Sequence, residues 1–206
     1  MTQNNYRLRE VTFLSQTVAF RSPAAWKVRE ATRDNEAEIH LLGPRNQANT
    51  YSTSAAIRLA PAQGQTAQAA ANELLATYRA AFPCETKGPT PLTVAGVRAY
   101  RVEIAYVMPL PLNNVLAQPT PLRESVVLLR HGDLLIELRY AAAEEMYAAW
   151  LAVFETLLHS LSFSGKEASA AVALEMTDAF PLALRETRSS YHIEEDENDD
   201  ASAERQ

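Results

Sequence analysis

Four histidines, one cysteine and the serines are the side chains here that could hold a metal or attack a substrate. His40, His131, His159 and His192 lie far apart, and none stands in an HxxxH pattern, so no pair falls on one helix face at the spacing a zinc site uses. Cys84 follows Pro83 and has Glu85 beside it, with no histidine nearby, and a neighbouring carboxylate works against a reactive thiolate. A single cysteine also excludes an internal disulfide and a multi-cysteine metal site. No serine sits in GxSxG or SxxK, and GxGxxG and GxxxxGK are missing. A hydrolase or metal enzyme is therefore the least supported class, with no catalytic residue and no cofactor implied.

The remaining candidates concern binding. Arg98, Arg101, Glu103, Glu137 and Arg139 are spaced to form a charged ladder across adjoining strands. Such a ladder is either a solvated sheet face, each pair contributing tenths of a kcal/mol, or a docking face for a polar partner through Arg101 and Arg139. Residues 109–122, PLPLNNVLAQPTPL, read as a long loop with four prolines. Leu110, Leu112, Val115 and Leu116 are its candidate partner-binding residues, on a chain whose prolines lower the ordering cost of contact. The other reading is a lid whose leucines cap the core. Tyr51 marks a second, weaker candidate loop.

Charge narrows the partner. The net charge of −6 is uneven. Residues 1–164 hold 15 basic and 14 acidic side chains, whereas 165–206 hold 4 basic and 11 acidic ones. A near-neutral body with an acidic tail lacks the basic footprint that nucleic-acid binding requires. No run reaches the roughly 18 apolar residues of a membrane span, and the N-terminal stretch has no secretory pattern. A cytoplasmic protein that binds another protein is the expectation.

These residues must be positioned by a core. Leu134, Ile136, Leu138 and Tyr140 alternate with Leu135, Glu137 and Arg139, which predicts a strand with one apolar face. Tyr147, Trp150, Leu151, Phe154, Leu157, Leu158 and Leu161 recur every three or four residues, which predicts a helical stripe over 142–159 to cover that face. Short strands are expected around 6–14, 18–20, 26–29, 39–42 and 55–59. A first helix should be capped by Thr66 and stopped by Pro83, with a Pro-rich connection through Pro89 and Pro91 after it. A long strand over 97–108 precedes the 109–122 loop. The fold class is α+β, an antiparallel sheet flanked by two main helices. The domain spans 1–164 and a C-terminal extension spans 165–206, apolar enough at 168–184 to dock, then acidic and expected to be disordered from about 190.

Several cues resemble the PsbP/Mog-like family over residues 6–163: FRSPAAW at 20–26, Val94-Ala95-Gly96-Val97-Arg98-Ala99-Tyr100 before the long strand, and a closing helix followed by Ser160-Leu161-Ser162-Phe163. The resemblance implies a non-catalytic binding or assembly module and transfers no active-site residue. A carrier of a small apolar ligand, held between sheet and helix near Tyr100, Tyr106 and Trp150, is the alternative.

Overall fold

A computed structural model describes residues 5–33, 35–112 and 114–165. The expectations for 168–184 and for the acidic end lie outside these residues. The strands are β1 (Tyr6–Phe13), β2 (Gln16–Pro23), β3 (Lys27–Arg33), β4 (Glu36–Arg45) and β5 (Ser52–Pro61). Helix α1 (Ala67–Ala81) leads to β6 (Cys84–Val94), β7 (Val97–Leu110), β8 (Gln118–His131) and β9 (Leu134–Ala143), then α2 (Glu144–His159) and β10 (Ser162–Gly165). Two antiparallel sheets result: β1-β2-β10, and a larger one in the order β3-β4-β5-β9-β8-β7-β6. The α+β class stands, with two sheets where one was expected.

The turn from β8 to β9 is Gly132-Asp133, with Gly132 in the left-handed region at φ 58°. It turns β9 so that Leu134, Ile136, Leu138 and Tyr140 face α2 and are fully buried. Tyr140 stacks on Phe154 at 5.6 Å, and its hydroxyl donates to the Tyr147 carbonyl at 2.7 Å. The expected pairing of strand face and helix stripe is therefore the centre of the core. The small sheet joins the same core through Val11, Phe13, Val18 and Phe20. Trp26 stands 6.0 Å from the Trp150 ring, and a Cβ on Gly43 would lie 2.6 Å from its indole, so the glycine lets the ring lie against the backbone of β4.

On the opposite face of the large sheet, α1 covers β6, β7 and β8. Thr66 caps it as expected, accepting from the Ala69 N–H at 3.1 Å. The expected connection through Pro89 and Pro91 is instead part of β6, one of the two edge strands of the large sheet. An edge strand tolerates proline because an N–H facing solvent has no ladder partner to lose, and the register shifts between Lys87 and Thr90. The 109–122 loop is also shorter than expected. β7 runs to Leu110 and β8 resumes at Gln118, with Pro109 opposite Pro119.

Candidate interaction surface

The alternation of β7, β8 and β9 sends side chains to two different faces, and this settles where the charged residues go. Arg101 points to the α2 face and pairs with Glu155 of that helix at 2.9 Å. Arg139, one residue from the α2-facing Tyr140, points the other way, towards α1. Arg101, Glu103, Glu137 and Arg139 are therefore not one ladder. A two-residue period puts odd residues of β7 and odd residues of β9 on opposite faces here, because the intervening register pairs Arg101 with Val127 and Val127 with Leu138.

Under α1, Arg139 belongs to a cluster around Glu124, a carboxylate only 2% exposed. Tyr78 of α1 donates to Glu124 Oε2 at 2.8 Å and Tyr106 of β7 donates to Oε1 at 2.5 Å. Arg139 Nη1 donates to the Tyr78 hydroxyl at 2.9 Å and to Glu124 Oε2 at 3.3 Å. Its Nη2 donates to Glu137 Oε1 at 2.7 Å. Burial pushes the phenols of Tyr78 and Tyr106 far above the ordinary tyrosine range, and the neighbouring Glu124 carboxylate adds to it. Burial pulls the Arg139 guanidinium down, but the Tyr78 hydroxyl and the carboxylates of Glu137 and Glu124 outweigh that and hold it above its usual value. These groups are satisfied by one another, so the cluster fastens α1 to the sheet, with Tyr106 stacked between β7 and Phe82 at 5.8 Å.

A second row of charge continues outward on the half of this face that α1 leaves uncovered. Arg58 of β5 donates to Glu36 of β4 from Nε at 2.7 Å, and His40 lies 2.9 Å from Glu38. Among the described residues no three of His, Cys, Asp and Glu lie close enough together to hold a metal ion. His131 stacks on Phe163 at 4.3 Å, and His159 Nδ1 lies 2.6 Å from the Glu155 carbonyl oxygen, so these two rings serve packing and helix-end contacts.

The leucines between β7 and β8 divide. Leu110 is 1% exposed, at the end of β7, and Leu112 is half-buried. Val115 is 100% exposed and Leu116 78%. Tyr51 is buried. The residues of the alternative ligand site do not converge: Tyr106 lies under α1, whereas Trp150 lies on α2 beyond the sheet. Sequence reasoning missed Glu124, whose signal was a lone acid in the apolar run of β8. It also missed Val107, which is 57% exposed beside the candidate leucines.

No family model matches this chain, and no curated protein matches it. Solved structures do. LpqN of Mycobacterium tuberculosis, involved in cell envelope biogenesis, superposes with a TM-score of 0.51 at 11% identity, over 78% of this chain and 92% of its own. The Ran-binding protein Mog1p of Saccharomyces cerevisiae gives a TM-score of 0.47 at 10% identity, covering 77% of this chain and 96% of its own. The cyanobacterial PsbP (CyanoP) of Synechocystis sp. PCC 6803 gives 0.47 at 11% identity, covering 81% and 96%. The class the chain falls in is that of the PsbP/Mog-like fold. At such identities the likeness is one of fold. No described helix is long and apolar enough to cross a membrane.

Proposed function

We propose that this chain is a non-catalytic module that binds another protein. The observation that carries the reading is the exposure of Val115 and Leu116 between β7 and β8. An isolated protein gains by burying such side chains, and adjoining exposed apolar groups mark contact sites. The self-satisfied state of the Glu124 cluster supports the same reading, because its titratable groups are occupied with holding α1 in place. In this proposal residues 1–164 form the module, 165–206 extend or modulate the contact, and the protein acts in the cytoplasm.

The test is affinity capture with the full chain as bait, alongside native mass spectrometry of the purified protein. One protein enriched reproducibly and in near-stoichiometric amount supports the proposal. A co-purifying small molecule with no enriched protein refutes it in favour of a carrier.

A further inference from the structure

The strands around Val115 and Leu116 have a property that their sequence positions alone do not reveal. β6 stops pairing with β7 at Tyr106, and β9 stops pairing with β8 at Leu122. Residues 107–110 and 118–121 therefore pair only with each other, as a two-stranded arm extending past both neighbours. Proline cannot donate to a ladder, so the facing pair Pro109 and Pro119 must be one whose N–H positions point outward. Pro121 has the same parity. Outward donors are thus missing from most of the arm, which disfavours strand addition by another chain, and the neighbouring strands end where β6 follows α1 and β9 passes into α2.

The arm's two faces differ. Met108, Leu110 and Thr120 are buried. Val107, Pro109, Pro119 and Pro121, on the other side, are exposed and lead to Val115 and Leu116 at the tip. From Ile104 to Leu122 the sequence has no charged residue and no histidine, although the domain's other surfaces carry many.

We propose that this proline-bearing face of the β7–β8 arm is the docking element, and that its occupant is a different protein presenting an uncharged, apolar groove. The inference rests on the protein-binding reading above and deepens it. The arm contributes no charge for a charged surface to complement, and its edges contribute few backbone donors, so the contact is made by apolar side chains on a pre-stiffened chain. The masses and mapped sites of the adducts separate this occupant from a second copy of the chain and from its own C-terminal segment.

The experiment places a photoreactive phenylalanine analogue in the full chain at Val115, at Pro119 or, as a control on β1, at Leu8, which is 64% exposed. Irradiation in native lysate at low and high salt is followed by peptide mapping of the adducts. The proposal expects one heterologous protein cross-linked from Val115 and Pro119 but not from Leu8. The mapped partner residues should be apolar or aromatic, and the yield should be unchanged by salt, because no charges contribute. Val107→Asp, at an exposed position, should lower the yield about tenfold or more by burying a carboxylate, with an unchanged melting temperature. Adducts of dimer mass, adducts to residues 166–206 of the same chain, lipid adducts or a salt-sensitive yield overturn it. Heterologous adducts from Leu8 alone overturn the arm while leaving a binding module. No adduct from any position, with no protein enriched by capture, overturns both.

Discussion

Replacing Glu124 by glutamine tests whether the buried cluster fastens α1 to the sheet. The side chain keeps its shape but loses its charge, and its amide group then meets Tyr78 and Arg139, both of which donate to Oε2 in the native protein. Removing one partner of a buried pair costs about 3–5 kcal/mol. Arg139 retains Glu137 at 2.7 Å and Tyr106 retains an acceptor, so the lower end applies, about 3 kcal/mol. With a urea m-value of about 2 kcal/mol per molar, the unfolding midpoint should fall by about 1.5 M. Tyr78→Phe removes one hydrogen bond given and one received but leaves no new buried polar atom on the ring, and should cost about 1.5 kcal/mol. Because both changes touch one network, the double variant should be less destabilised than the sum, by about 1 kcal/mol. Equilibrium urea unfolding followed by far-UV circular dichroism reads all three. A Glu124→Gln protein within about 0.5 kcal/mol of the native one, or strict additivity, would refute the reasoning, because surface changes produce effects of that size.

Three further outcomes follow from the same geometry. Burial raises the phenols of Tyr78, Tyr106 and Tyr140 above the ordinary value of 10.0, so each keeps its proton when folded and releases it when unfolded. Stability is then full below the unfolded value and falls as pH rises past about 10, by ~1.4 kcal/mol per pH unit for each tyrosine; urea midpoints that stay level from pH 10 to 11 would contradict this. Gly43→Ala places a methyl 2.6 Å from the Trp26 indole and should lower stability by about 1–3 kcal/mol through overpacking, with a change in tryptophan fluorescence; an unchanged melting temperature would count against the close approach. The double change Val115→Asp with Leu116→Asp should leave stability within about 0.5 kcal/mol, since both side chains are exposed; a large loss of melting temperature would mean that they cap the core.

Local pattern was enough to reveal the parts of this protein that depend on one element at a time. The period of two in Leu134–Tyr140 and the three-and-four spacing of Tyr147, Phe154, Leu157 and Leu158 identified a strand face and a helix stripe that do bury each other. Thr66 announced its helix because a cap acts within one turn. Pro89 and Pro91 misled because proline breaks a central strand but not an edge strand, and edge position is a property of the assembled sheet.

Tertiary structure decided the rest, because it sets which residues of distant strands share a face. Strand register separated Arg101 from Arg139, and the packing of α1 gathered Tyr78, Tyr106, Glu124 and Arg139 from four elements into one buried cluster. The composition of the β7–β8 segment could be read directly, but its extension beyond β6 and β9 could not. That depends on where the neighbouring strands end, and so on hydrogen bonds formed between residues far apart in the chain.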